Sequence, residues 1–257
     1  MHVRVFLTTA LAMAASACGS AAAPGSGTVA IAGGESGGTR APVTVAAHPV
    51  AVELFTSQGC SSCPPADVVL GKLARQNDVV AITRPVTYWD QLGWKDTLAT
   101  PANTNLQRAY RNRGFPGAGV YTPQSVIQGQ TGFVGSSEAK IRGEIVRLSR
   151  TPEPALTITP RADGGRSVVL DGTASDAVVS VVALRKSVTV QVGRGENGGR
   201  ALTFYNVLLR ETPVGRWRGG NAAFTVPAAT VRPRDSDRYA LIVREGSDGQ
   251  ILAARYL

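Results

Sequence analysis

Histidine is almost absent from this 257-residue chain: there are two, His2 and His48. Cysteine is scarce as well, with three, and so is methionine, with two. So few cysteines exclude a small scaffold stapled by disulfides. With one histidine beyond the leader and no second cysteine pair, a closed zinc site within one chain has too few ligands. Long apolar runs are missing outside the N-terminus, which excludes a multi-span membrane protein. Runs of like charge are missing too. The net charge of +9 is spread out, with two basic and one acidic residue in 1–48, 11 and seven in 49–150, and 14 and ten in 151–257. A nucleic-acid binder concentrates its charge on one element, so no nucleic-acid partner is expected. Only four of the 27 basic residues are lysine. What is present, 43% hydrophobic and 18% charged residues, fits a folded chain of one or two domains.

The N-terminus reads as an export signal. Arg4 gives a short positive region, and residues 5–15 form an apolar stretch too short to span a bilayer. Then follows Ala15-Ser16-Ala17-Cys18-Gly19-Ser20, which resembles a bacterial lipoprotein cleavage box. In that reading residues 1–17 are removed, Cys18 is lipidated, and acyl chains hold the protein at a membrane surface. Ordinary signal cleavage nearby is the alternative. Residues 18–48, rich in Gly, Ala, Ser and Thr, cannot bury enough apolar surface to order themselves and read as a flexible tether.

A redox motif comes next. Residues 50–56 read as a buried strand, followed by Ser57-Gln58-Gly59-Cys60-Ser61-Ser62-Cys63-Pro64-Pro65-Ala66-Asp67 and a helical rhythm. Two cysteines three apart on a first helical turn face the same way and can close a disulfide. Cys60 meets the unpaired N–H groups and positive dipole end of the helix, which favour a thiolate nucleophile. Cys63 is the resolving thiol. Pro64 and Pro65 sit where a missing N–H costs little. A structural disulfide, a Cu(I) site using both thiolates, and inert thiols remain open alternatives.

Other residues fall into place around this pair. Thr122-Pro123 directly precedes an apolar strand, either as a cis peptide bond or as an ordinary trans bond at a strand edge. Tyr88 and Trp89 open an aromatic and acidic block that either walls a substrate site or packs a loop.

Four stretches together resemble the secreted domain-of-unknown-function 1223 family, placed in the thioredoxin-like superfamily. They are residues 53–67, Tyr88-Trp89-Asp90-Gln91-Leu92-Gly93-Trp94-Lys95-Asp96, Tyr121-Thr122-Pro123-Gln124, and Arg194-Gly195-Glu196-Asn197-Gly198-Gly199-Arg200. The resemblance runs from about residue 49 to the C-terminus and brings no settled activity. Its superfamily implies a cis-proline loop beside the disulfide, with Thr122 and Pro123 offering backbone to a substrate peptide. It also implies a buried carboxylate assisting proton transfer, a role for Glu53 with its pKa raised by burial. The alternative for Glu53 is a strand-end carboxylate in solvent or paired with an arginine. The sequence departs from the pattern at Gly59, where thioredoxin has Trp, and at Arg84-Pro85, where similar chains carry His.

Residues 104–113, capped by Thr104, and 136–150 read as helices, with a strand at 131–135. After Thr151-Pro152-Glu153-Pro154 the rhythm changes to period two, with about eight short strands separated by Gly, Asp and Pro. The expectation is an α/β thioredoxin-like domain over 49–150, then a mainly antiparallel β-sandwich-like domain over 155–257. Residues 193–199 read as a hairpin loop, with Glu196 and Asn197 reaching a ligand or serving the turn. The functional expectation is an exported thiol–disulfide oxidoreductase-like protein. It exchanges disulfides with exported protein thiols or disulfides and needs no cofactor beyond its redox-active disulfide. A tethered, non-enzymatic binding protein with a structural disulfide is the alternative.

Overall fold

The computed structural model describes residues 47–231 and 235–257. The expected signal segment, Cys18 and nearly all of the expected tether lie outside the described residues. In chain order the elements are β1 (Val50–Thr56), α1 (Pro64–Leu73), β2 (Val79–Pro85), α2 (Pro101–Arg113), β3 (Gln124–Ile127), β4 (Thr131–Val134) and α3 (Glu138–Leu148). There follow β5 (Ala155–Pro160), β6 (Arg166–Asp171), β7 (Ala177–Gln191), β8 (Ala201–Trp217), β9 (Ala222–Val226), β10 (Arg238–Glu245) and β11 (Ile251–Tyr256). No helix among the described residues is long and apolar enough to cross a membrane.

All seven residues of β1 are buried, the signature of a central strand covered on both faces. Its alternation feeds two cores. Val50, Val52 and Leu54 pack with Leu70 and Leu73 of α1 and with Ile141, Ile145 and Leu148 of α3. On the other face Ala51 joins Val80 and Ile82 of β2, Val182 and Leu184 of β7, and Ile242 of β10. Phe55 meets Tyr110 of α2 there, edge to face.

One sheet runs through most of the chain, in the order β11-β10-β7-β8-β2-β1-β3-β4, and a small sheet has the order β5-β6-β9. β1 and β2 are parallel, with α1 as the crossover between them. The other edge of β2 meets β8 in parallel at Thr83↔Val207. Side chains supplement this short junction. Thr83 Oγ1 donates to the Tyr205 carbonyl at 2.5 Å, and Asn206 Nδ2 donates to the Ala81 carbonyl at 2.9 Å. Tyr256 Oη accepts from the Ala81 amide at 3.1 Å. Asn206 has φ 46°, the left-handed region that Asn tolerates better than most residues. Tyr205 also presses its ring on α1, where a Cβ on Gly71 would come within 2.5 Å of it.

The expected architecture, a thioredoxin-like α/β domain followed by a β-sandwich-like one, is overturned. Of the described residues 41% are strand and 19% helix. β7, β8, β10 and β11 extend the same sheet as β1–β4, and only β5, β6 and β9 form a separate layer. Period-two rhythm reports that a strand has a covered face; it does not report which strand lies beside it. The stretches read as separate strands at 177–184 and 188–192 are one 15-residue strand, paired with a 17-residue partner. Seven of its first eight residues are buried, and the rest form a more exposed ribbon in which Val188 and Val190 are partly covered. α2 starts earlier than expected, at Pro101, with Thr100 Oγ1 accepting from the Asn103 amide; Thr104 is buried inside the helix and accepts from the Thr87 amide at 2.9 Å.

Truncation after Pro154 removes the β8 partner of β2 and the strands that cover Val80 and Ile82. An edge stripped this way leaves unpaired backbone and bare apolar surface. The truncated chain is expected to lose cooperative unfolding in a urea titration followed by circular dichroism, whereas the full chain retains it.

Candidate functional site

Cys60 and Cys63 form a disulfide at the start of α1, with a Cα–Cα distance of 5.4 Å. The turn is set by local bonds: the Cys60 amide donates to the Ser57 carbonyl and the Cys63 amide to the Cys60 carbonyl, each at 3.2 Å. Pro64 and Pro65 open the helix. Both cysteines are 0% exposed, whereas Ser61 and Ser62 between them are exposed. Exposure at the helix start is therefore found on the two serines and not on the cysteines.

Three segments close over the disulfide. The first is the aromatic loop. Trp89 lies over Gly59, where a Cβ would be 3.5 Å from the Trp89 Cβ, and its Nε1 donates to Thr122 Oγ1 at 2.8 Å. Trp94 Nε1 donates to Gln58 Oε1 at 2.8 Å, and Asp96 Oδ2 accepts from the Gln58 amide at 2.8 Å. The second is the Thr122-Pro123 loop, whose peptide bond is cis. Gly135 fits between Pro123 and Ala66 of α1; a Cβ there would lie 3.1 Å from one and 2.9 Å from the other. Trp89, Thr122 and Pro123 thus gather at the disulfide turn. Tyr88 packs toward Phe55 and Tyr110, and burial pushes its hydroxyl up to about 12.

The third segment is the tip of the β7–β8 hairpin. Asn197 is fully buried and its Nδ2 donates to both the Gln58 carbonyl (3.0 Å) and the Cys60 carbonyl (2.8 Å). Arg200 Nη1 donates to Asn197 Oδ1 at 2.6 Å. Glu196 Oε2 accepts from the Ser61 amide at 3.0 Å. Of the two readings offered for this loop, turn chemistry and ligand contact, neither anticipated that the tip bonds the cysteine turn itself. The second half of the chain completes the site.

Glu53 lies at the centre of a buried ionic cluster. Its Oε1 accepts from Arg84 Nε (2.6 Å) and Arg244 Nη2 (2.8 Å), and its Oε2 from the Tyr110 hydroxyl (2.5 Å). Arg244 also donates to the Tyr110 oxygen, and Arg84 Nη2 donates to Glu211 at 2.7 Å. Burial pushes the carboxyl up, and Arg244 and Arg84 more than reverse it, holding Glu53 at about 2. The expected upward shift is therefore not found. Arg84, noted in the sequence only as a place where similar chains carry His, contributes to the reversal after Arg244.

A different carboxyl has the raised pKa. Asp67 is buried, its Oδ1 accepts from Thr56 Oγ1 at 2.9 Å, and its Oδ2 has no partner among the described residues. Burial and the nearby Asp96 raise its pKa well above the usual carboxylate range, against the Thr56 bond. The Asp67 amide donates to the Cys63 carbonyl at 3.1 Å. Residues four apart on a helix share a face with Cβ atoms about 5–6 Å apart, which puts the acid behind Cys63. That spacing was the available signal in the sequence. Among the described residues no group of three or more His, Cys, Asp and Glu side chains stands together to hold a metal.

These features define a class: a mixed-sheet protein carrying a sheathed Cys-x-x-Cys disulfide at a helix start. A family model described as a protein of unknown function (DUF1223) matches residues 51–244, and the chain belongs to that family. It is similar to protein AGR_C_4864 from Agrobacterium tumefaciens, whose crystal structure superposes with a TM-score of 0.70 at 29% identity, over 82% of this chain and 94% of that one. HBP35 of Porphyromonas gingivalis shares the fold more loosely, with a TM-score of 0.52 and 12% identity over 82% of this chain and 75% of the other. No curated protein matches the chain.

Glu53→Gln takes from buried Arg244 the carboxylate it is bonded to and leaves Arg84 with Glu211 alone, and removing one partner of such a cluster costs about 3–5 kcal/mol. The pH dependence has a defined sign. A carboxyl at about 2 in the folded chain, against an ordinary 4.5, stabilises fully above 4.5 and loses that contribution as pH falls toward 2. Urea unfolding between pH 7 and pH 2 is expected to show this acid-side loss in the parent and not in Glu53→Gln.

Proposed function

We propose that this chain is an exported thiol–disulfide exchange protein, anchored through a lipidated Cys18, that acts on thiols or disulfides of other exported proteins. The observation that carries the reading is the Cys60–Cys63 bridge on the first turn of α1, backed by a buried carboxylic acid and flanked by the cis Thr122-Pro123 loop. In the oxidising direction a substrate thiolate attacks Cys60 Sγ, forming a mixed disulfide and breaking the internal bond. Cys63 leaves as a thiolate and takes the proton of Asp67. A second substrate thiolate then attacks the substrate sulfur of the mixed disulfide. The substrate is released oxidised by two electrons and Cys60 leaves as a thiolate, so both cysteines end reduced. The reducing direction is the reverse sequence, with Asp67 accepting the proton from Cys63. Glu53, held ionised by two arginines, serves the scaffold in this reading and Asp67 serves the proton. Access to Cys60 requires the covering segments to move.

A second reading is favoured by one observation, the zero exposure of both cysteines. In it the bridge is permanent and the chain is a tethered binding protein. The two readings separate in one set of measurements. Exchange requires a reduction potential above about −300 mV, the value below which structural bridges lie, and covalent capture of exported proteins by the Cys63→Ser variant. A lower potential with no captured partner selects the permanent bridge.

The acid is tested separately. General acid–base assistance is worth about 10²–10⁴-fold. Asp67→Asn is expected to slow release of a chromogenic thiol from its mixed disulfide with Cys60 by about 10²-fold near neutral pH. The loss should shrink as pH rises and Cys63 ionises unaided.

A further inference from the structure

We infer that Glu196 is a positioning residue for Cys60: its carboxylate, laid on the cysteine turn by the β7–β8 hairpin, keeps the reduced Cys60 thiol less acidic than a bare helix start makes it. This rests on the exchange reading of Cys60 and specifies how that sulfur is tuned.

The placement is built and not incidental. Asn197, the next residue, is fully buried and spends both amide hydrogens on the carbonyls of Gln58 and Cys60. Arg200 fixes its oxygen at 2.6 Å. Trp94 packs beneath the tip, where a Cβ on Gly193 would come within 2.9 Å of its ring. So held, Glu196 Oε2 sits 3.0 Å from the amide nitrogen of Ser61, the residue after Cys60. The Ser61 hydroxyl, and after it the Ser61 amide, hold Glu196 below the usual carboxylate range, so it is charged at neutral pH.

The electrostatic consequence follows. A thiolate at a helix start is stabilised by free N–H groups and the positive dipole end. In the cysteine turn that leads into α1, Glu196 occupies the Ser61 amide and adds a negative charge at the residue after Cys60, and both effects favour the thiol. The other charged groups on the surrounding elements are Asp90, Lys95 and Asp96 on the aromatic loop, Arg194 and Arg200 on the tip, and Asp67 on α1. Among these, Asp96 is engaged with the Gln58 and Leu98 amides, and Arg200 with Asn197. Glu196 is the carboxylate that bonds the Cys60–Cys63 turn between the two cysteines.

The test uses the full chain with Cys18→Ser and Cys63→Ser, so that Cys60 is the sole thiol, and follows its alkylation by iodoacetamide against pH. Glu196→Gln removes the charge while leaving an oxygen for the Ser61 amide. It is expected to lower the midpoint by about half a unit to one unit at low salt. The difference should contract in about 1 M salt, where the Debye length is about 3 Å. Glu196→Asp, which keeps the charge, should stay near the parent. An unshifted midpoint overturns the inference. So does a uniformly faster reaction at an unchanged midpoint, which assigns Glu196 to covering the sulfur alone. A Cys60 that resists alkylation at every pH while the chain stays folded overturns the inference together with the exchange reading, and is thereby distinguished from failure of the tuning.

Discussion

Glu53 is where three strands and a helix are tied to one another. β1 supplies the carboxylate, β2 supplies Arg84, β10 supplies Arg244 and α2 supplies the Tyr110 hydroxyl. Three strands separate β1 from β10 in the sheet order, so the contact exists only because the sheet coils back on itself. Every polar group in the cluster has a partner, which is the condition under which a buried network specifies one arrangement. Just along β1 from Glu53 lies Thr56, which bonds Asp67, and the turn after it carries Cys60. The cluster and the cysteine turn are thus joined by a few residues of fully buried strand.

The disulfide site draws on both halves of the chain in a division of labour. The first half contributes the cysteines, the carboxylic acid, and the aromatic and cis-proline segments. The second half contributes the hairpin tip that occupies the carbonyls and an amide of the cysteine turn. Burial of the sulfurs follows from this overlap. A bond kept under such a cover is shielded from thiols in solution.

Much of the local structure was legible from residues alone. Two cysteines three apart before two prolines mark a bridged helix start, and the helix begins at Pro64. The mainly apolar run of β1, interrupted by Glu53, marks a strand covered on both faces. At Thr122-Pro123 the residues alone left cis and trans open, the resemblance implied a cis-proline loop, and the bond is cis. Long-range pairing was not legible. Nothing in the alternation of 177–184 or 202–209 says that β8 lies beside β2 and β7 beyond it, because alternation encodes burial and not neighbours. The state of Glu53 was hidden for the same reason: Arg244 is 191 residues away. Asp67 was closer to hand, four residues from Cys63, and helical spacing alone points to it.

Tyr205 and the hairpin tip belong to one strand and its turn, yet they fasten to two separate places. The ring of Tyr205 bears on Gly71 within α1, while Glu196 and Asn197 hold the cysteine turn that leads into the helix. The ribbon between them thus acts as a gauge, reaching from that turn to the body of α1. Leu202 and Phe204 are buried along it, so one of its faces is covered. Its length is thereby matched to the distance between the two anchors.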